Sequence, residues 1–358
     1  MHYQELPVTD VRLRRRNAGP VLAGPGHPTR VMALIGASQA RDGEAQLAKL
    51  DALAAMVGGP DVVADLSIIE SATPLLGLIV ARGFAASTLP VYTVQRRNGR
   101  IDRAELLDRA VLQMEQGASM LTIHPTPSLA LIELARRRRV PWTSRGGGLI
   151  IQDLLAGSDV SNAYLSILPD LAAHARRHSV VLSLGASFRS ANIFDSLDDA
   201  QQLEIRTQLT LADTLSREGT MIIIESPGHA RPRDIRRAAA MLAPSRYAVM
   251  PLGPIPTDSA IGEDHVSAAI GATLMGLEGA AHVLAAVTRE EHTGGIPGLT
   301  ATLEAVRASR VAAHVIDIHM LEATEEDAQV VAARAAHNTC VAGKVTPGCS
   351  RCGKTCPL

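Results

Sequence analysis

The chain is 358 residues long, 46% hydrophobic but only 2% aromatic, with 35 basic residues against 36 acidic. That length allows two or three average domains or one α/β barrel with appendages, and an aliphatic interior of this kind suits a parallel sheet covered by helices. A near-zero net charge argues against a nucleic acid or a membrane surface as partner.

In chain order, residues 1–28 read as a polar N-terminal arm without the apolar centre of a secretory signal, and no later stretch reaches the 18 or so apolar residues of a membrane span. A cytoplasmic protein is expected. Short aliphatic runs then recur: VMALIG (31–36), VVADLS (62–67), PVYTV (90–94), MLTIHP (120–125), WTSRGG (142–147), VVLSLGA (180–186), MIIIES (221–226), AVMPLGP (248–254) and AHVLAAVT (281–288). Amphipathic helices separate most of them. In residues 102–118, Leu106, Leu107, Ala110, Val111 and Met114 form one apolar stripe, and Asp102 with Glu105 resembles a capping box. The Arg136–Arg139 run reads as a solvated helix end. Strands buried on both faces and alternating with helices predict parallel βα units.

The expected fold is α/β, a TIM-like (β/α)8 barrel over residues 29–298, followed by a C-terminal helical segment (299–340) and a cysteine-bearing tail (341–358). Nine candidate strands exceed eight, so one must lie outside the wall. An open doubly wound sheet is the alternative, but no strand is followed by a G-x-G-x-x-G turn. Barrel chemistry is placed at the C-terminal strand ends. There the sequence puts Asp65 and Ser67, Tyr92, His124, Ser144 and Arg145, Ser187 and Arg189, and Glu225 and His229.

Three of the four cysteines lie in the last ten residues: Cys349, Cys352 and Cys356, spaced C-x2-C-x3-C. In a reducing compartment, clustered thiols point to a metal centre. A structural zinc usually takes four protein ligands, whereas a 4Fe-4S cluster held by three cysteines leaves one iron open, the position that S-adenosylmethionine (SAM) chelates in radical enzymes. The tail therefore favours a cluster, with Cys340 or His337 available as a fourth ligand under the zinc reading. His229, in IESPGHARP, and His292, in TREEHTGG, are candidates for a second, mononuclear zinc or iron centre or, more plainly, hydrogen-bonded structural residues.

The stretches VVADLS, LPVYTV, LTIHP, TSRGGG, LSLGASFR, IIIESPGHARP, PLGPIPTDSAIGEDHVSAAIGATLMG, VTREEHTGGIP and CSRCGKTC together resemble the ThiC family of radical enzymes, from about residue 31 to the end. The resemblance implies a barrel in a homodimer. It also implies a radical SAM lyase that cleaves SAM to a 5′-deoxyadenosyl radical, with electrons from an external donor, and rearranges a phosphorylated ribonucleotide, aminoimidazole ribonucleotide or a relative, into a pyrimidine-type or related heterocycle. By motif position Cys349, Cys352 and Cys356 would hold the cluster, and His229 and His292 the second metal. Tyr92, His124, Ser144, Arg145, Gly146, Arg189 and Glu225 would contact the ribonucleotide; Glu225, Tyr92 and His124 are the catalytic candidates among them. Ser144, Arg145 and the following glycines offer donors suited to phosphate oxygens.

The sequence also departs from the family. Ala186 and Ser187 replace an Asp-Gly pair, VMALIGAS lacks the family's asparagines, Ala64 replaces a methionine, and a tyrosine is replaced near Met250. The cluster motif is one residue shorter between its second and third cysteines, and a large N-terminal region is expected to be absent. Losing polar partners while keeping the phosphate-like and metal-like positions predicts an altered substrate or product. Two other readings stand beside it: a barrel hydrolase with zinc on His229, His292 and a carboxylate such as Asp264 or Glu225, and an inactive nucleotide-binding paralogue.

Overall fold

The computed structural model describes residues 10–68, 75–157, 161–342 and 351–356. Eight parallel strands run in the order β11-β10-β9-β8-β5-β4-β3-β12. They are β3 (Arg30–Ile35), β4 (Val62–Asp65), β5 (Ala85–Thr88), β8 (Met120–Ile123), β9 (Val181–Leu184), β10 (Ile222–Glu225), β11 (Ala248–Met250) and β12 (Val283–Ala285). His282 links the remaining pair, β11 and β12. Its N–H donates to the Val249 carbonyl, and its ring Nδ1 accepts from the Val249 N–H, each at 2.9 Å. The wall is thus a nearly closed (β/α)8 barrel.

Helices α1 (Gly43–Ala55), α2 (Leu76–Ala81), α3 (Arg103–Glu115), α4 (Leu129–Ala135), α5 (Arg145–Ala156), α6 (Ala163–Arg177), α7 (Asp199–Arg217), α8 (Pro232–Leu242), α9 (Asp264–Gly276) and α10 (Leu299–Leu321) surround the wall, and α11 (Glu325–Ala336) follows. Side chains alternate along a strand, so a wall covered inside and out buries both faces of its strands. Ile222 and Ile224 face the helices while Ile223 joins the barrel interior, as do Val62, Met120 and Val181.

The N-terminal arm is more than a polar leader. Strands β1 (Val11–Arg15) and β2 (Ala18–Ala23) form an antiparallel hairpin that sends Val11, Leu13, Val21 and Ala23 into the barrel interior. Val11 and Leu13 are fully buried, and side chains of this size contribute about 1.5–3 kcal/mol each on burial.

Two of the nine predicted strands are corrected. PVYTV forms a single 3-10 turn, Pro90–Thr93, after a strand of small residues, Ala85–Thr88, that lacks an aliphatic run. WTSRGG is not a strand: Ser144 caps α5, its hydroxyl accepting from the Gly147 N–H at 3.1 Å. Between them, β6 (Arg96–Arg97) and β7 (Arg100–Ile101) make a small ribbon. The arginine run is not wholly solvated either. Arg138 is buried, bonded to Asp198 and to the Phe188 carbonyl. Asp102 caps α3 through the Ala104 and Glu105 N–H groups, but Glu105 reaches Gln95 instead of completing a box.

Candidate active site at the barrel mouth

The inward residues nearest the C-terminal strand ends divide the mouth in two. Ser87, Thr122, Ser183 and Glu225 come from the consecutive strands β5, β8, β9 and β10; Leu34, Ala64, Met250 and Ala285 come from β3, β4, β11 and β12. Above them opens a cavity of about 620 Å³, lined on one side by Tyr92, His124, Ser144, Arg145, Arg189 and Glu225 and on the other by Met32, Leu34, Ala64, Met250 and Leu252, with the polar pair Gln46 and Lys49 of α1 and the acidic Glu290 and Glu291 also lining it. A cavity of this size suits a small-molecule site. His229 and His292 stand on its rim.

Glu225 lines the cavity and is held by three donors. Thr122 and Ser183 hydroxyls give to Oε1 at 3.2 and 3.3 Å, and the Ala186 N–H gives to Oε2 at 3.3 Å. Burial raises its pKa, against the opposing pull of Arg189 and those hydrogen bonds. His124, 2% exposed, is the converse case: burial first, and then the Arg189 charge, push its pKa down to about 3, so the imidazole is neutral. Its Nδ1 lies 3.0 Å from Ser187 Oγ. Gly146 and Gly185 pack on either side of the ring, where any Cβ would overlap it. Gly146 is therefore a cradle for His124 as well as a donor at the helix start.

Two arginines and a helix start supply positive charge beside Tyr92 and His124, and Lys49 of α1 lines the cavity as a third cation. Arg145, at the start of α5, lies with its guanidinium 4.7 Å from the centroid of the buried Tyr92 ring. Arg189 bonds the Ala186 carbonyl at 3.1 Å and lines the same cavity. Arg145 opens α5, and although the Gly147 and Gly148 N–H groups are taken by Ser144, the two guanidinium groups beside the positive end of the helix can receive an anion. Ser144 lines the cavity too, but its hydroxyl is engaged in capping.

His229 and His292 meet across 63 positions of sequence, Nε2 to Nε2 at 3.1 Å. The other ring nitrogen of each lies on a carboxylate: His229 Nδ1 at 2.5 Å from Asp258, and His292 Nδ1 at 2.8 Å from Asp264. Carboxylates on Nδ1 fix the tautomer that leaves Nε2 with a lone pair. Two facing lone pairs repel unless a proton or a cation lies between them, so the pair either shares a proton or accepts a metal ion. Burial lowers the His229 pKa, in the sense that favours the neutral ligand form. Among the described residues no group of three or more His, Cys, Asp or Glu side chains is arranged to hold a metal. The two imidazoles would supply only part of a coordination sphere. Asp264, a zinc ligand in the hydrolase reading, is instead hydrogen-bonded to His292.

Of the other strand-end candidates, Asp65 and Ser67 are occupied locally. Asp65 accepts from the N–H groups of Ser67, Leu75 and Leu76, and the Ser67 hydroxyl accepts from the Ala37 N–H. Cys349 lies outside the described residues. Cys352 and Cys356 bracket a 3-10 turn, Gly353–Thr355, as free thiols, half-buried and exposed respectively. That is compatible with the thiolate ligation a cluster needs. Sequence reasoning missed Asp258 and also Glu204, a buried carboxyl of α7 that accepts from the Thr126 hydroxyl at 2.6 Å and the Ser187 and Phe188 N–H groups at 2.7 and 2.8 Å. A signal was present: Gln201, Glu204 and Gln208 recur at helical spacing on the same stripe as Ile205.

The profile of the radical SAM ThiC family matches residues 8–344. The chain belongs to the radical SAM ThiC family. Its relatives include phosphomethylpyrimidine synthases from Methanopyrus kandleri and Thermodesulfovibrio yellowstonii, each 32% identical over 85% of this chain and 73% of the relative. The 5-hydroxybenzimidazole synthase BzaA of Moorella thermoacetica is 31% identical over 85% of this chain and 72% of its own length. Family membership makes this a radical SAM enzyme and implies a 4Fe-4S cluster and SAM as cofactors. No helix among the described residues is long and apolar enough to cross a membrane.

Proposed function

We propose that this enzyme is a lyase that acts on a phosphorylated ribonucleotide, aminoimidazole ribonucleotide or a relative, and rearranges it into a pyrimidine-type or related heterocycle. The observation that carries the proposal is the divided mouth of the barrel. Arg145, Arg189 and the start of α5 suit a phosphate, and Glu225, Tyr92 and His124 suit ribose hydroxyls and an amine. Leu34, Ala64, Met250 and Leu252 offer the far side of the ligand no hydrogen bond. A substrate or product with a less polar ring than the thiamine intermediate fits the part of that face away from Gln46 and Lys49, where a buried polar edge would lose its partners.

When bound, the cluster and SAM supply the reducing electron and the carbon-centred radical. Cys349, Cys352 and Cys356 would hold the cluster, and His229 with His292 a zinc or iron ion. The protein's own contribution is to anchor the anionic end, keep water from the reacting carbon atoms, and hold Glu225 and an uncharged His124 in position. A homodimer and an external electron donor complete the proposed assembly.

The experiment is an anaerobic assay of 5′-deoxyadenosine release from SAM with and without candidate ribonucleotides, followed by mass analysis of the product. Release stimulated by a phosphorylated ribonucleotide, and lost in Arg189→Ala, supports the reading. Release indifferent to every phosphorylated ribonucleotide, or unchanged in Arg145→Ala and Arg189→Ala, refutes it.

A further inference from the structure

We propose that His124, Ser187, Thr126 and Glu204 form a proton relay leading from the cavity to the helix layer outside the barrel wall. The relay does not depend on which substrate the cavity takes. Four groups lie in one hydrogen-bonded row: His124 Nδ1 is 3.0 Å from Ser187 Oγ, Ser187 Oγ is 3.3 Å from Thr126 Oγ1, and Thr126 Oγ1 is 2.6 Å from Glu204 Oε1. All four side chains are buried. At the inner end His124 lines the cavity, and its Nε2 has no hydrogen-bond partner among the described residues.

The direction of the row depends on Glu204. Its remaining neighbours are the N–H groups of Ser187 and Phe188, which only donate. A proton on this carboxyl can therefore point only at Thr126 Oγ1. That turns the Thr126 hydroxyl toward Ser187 and the Ser187 hydroxyl toward His124 Nδ1, which must then accept, leaving the ring proton on Nε2 facing the cavity. With Glu204 ionised the opposite order is open: Nδ1–H donates to Ser187, Ser187 to Thr126 and Thr126 to the carboxylate, and Nε2 is a bare acceptor.

A proton delivered from the cavity to Nε2 would thus release the Nδ1 proton to Ser187. The Ser187 proton would pass to Thr126 and the Thr126 proton to Glu204. One O–H or N–H bond forms for each that breaks, the carboxylate becomes a carboxylic acid, and His124 changes tautomer without ever becoming charged. This matters because an imidazolium is strongly disfavoured at this position, whereas burial raises the Glu204 pKa to about 7, partly offset by its hydrogen bonds to Thr126, Phe188 and Ser187 and by Arg138. The charged groups facing the row are Arg138 with its partner Asp198 at the outer end, Arg189 at the inner end, and Glu225, which bonds the N–H of Ala186 in the same loop. Ser187 stands in the Ala186-Ser187 pair that replaces the family's Asp-Gly, so the hydroxyl link is a property of this chain.

The test is nitrogen NMR of the protein labelled with 15N-histidine, with His124 assigned by loss of its signals in His124→Gln. As the pH rises from 5.5 to 8.5, His124 should stay neutral while the protonated nitrogen shifts from Nε2 toward Nδ1. Glu204→Gln, which cannot titrate, should make the tautomer independent of pH, and the milder Ser187→Ala and Thr126→Val should abolish the transition with the fold retained by circular dichroism. A His124 tautomer that does not change with pH, a ring that becomes charged in this range, or a transition that persists in Ser187→Ala would overturn the relay. None of these readouts requires turnover, so failure of the proposed substrate leaves the test intact.

Discussion

Replacing the histidine at the barrel seam should alter how the fold responds to acid. His282 can accept the Val249 N–H only as a neutral ring, and burial, followed by the nearby His27, pushes its pKa down to about 4. In the unfolded chain a histidine titrates near 6.5. Between these values the unfolded state takes up a proton that the folded state refuses, so stability present above pH 6.5 is lost as the pH falls toward 4. At pH 5 the loss amounts to about 2 kcal/mol for this residue, at 1.36 kcal/mol per pKa unit. His124, lowered to about 3, adds a loss of about the same size at that pH. His282→Asn keeps an acceptor near the Val249 N–H but cannot titrate. Urea unfolding of both proteins at pH 7.5 and pH 5.0 isolates the contribution, because every other group is common to the two. The variant should lose about 2 kcal/mol less than the parent over this interval. Equal losses would show that His282 is not held neutral, and the seam would need another explanation.

Three further outcomes follow from the site. Gly185→Ala places a Cβ on the His124 ring, so it should displace the ring, lower the melting temperature and abolish the ribonucleotide-dependent part of SAM cleavage; full retention of that stimulation would contradict the role assigned to His124. Asp258→Asn should weaken zinc or iron binding by about 10- to 100-fold, as loss of a carboxylate behind a ligating histidine commonly does, and titration calorimetry with each metal would detect it. Cys352→Ala should abolish SAM cleavage while leaving the circular dichroism spectrum of the barrel unchanged, and a variant that kept full cleavage would exclude Cys352 from the cluster.

The parts of the fold legible in the sequence are those where burial on both faces demands an unbroken aliphatic run. Ile222–Ile224 and Val62–Val63 can be little else. Ala85–Thr88 escapes because its neighbours fill the interior, allowing small residues that carry no strand signal. Pro90–Thr93 misleads for the opposite reason, since β-branched and aromatic residues serve there as packing on a turn. The site divides in the same way. His229 and His292 are marked by their motifs; Asp258 stands in another, PLGPIPTDSAIGEDH, but nothing there pairs it with a histidine 29 residues away. The helical spacing puts Glu204 on the buried stripe of α7, but only the fold brings it two N–H donors from the segment after β9 and a third donor, Thr126, from the segment after β8. Arg138 is hidden similarly, one arginine of four, drawn in by Asp198 and a carbonyl from 50 residues away.

The central claim is that this barrel brings a cluster and SAM to a cavity built for an anionic ligand. Anaerobic reconstitution of the full chain with iron and sulfide, followed by reduction and assay of 5′-deoxyadenosine, tests it most directly. Iron and sulfide in the proportions of one 4Fe-4S cluster per chain, and reductant-dependent cleavage of SAM, are expected. A protein that assembles no iron–sulfur centre under these conditions, or one that assembles it and leaves SAM intact, would contradict the account.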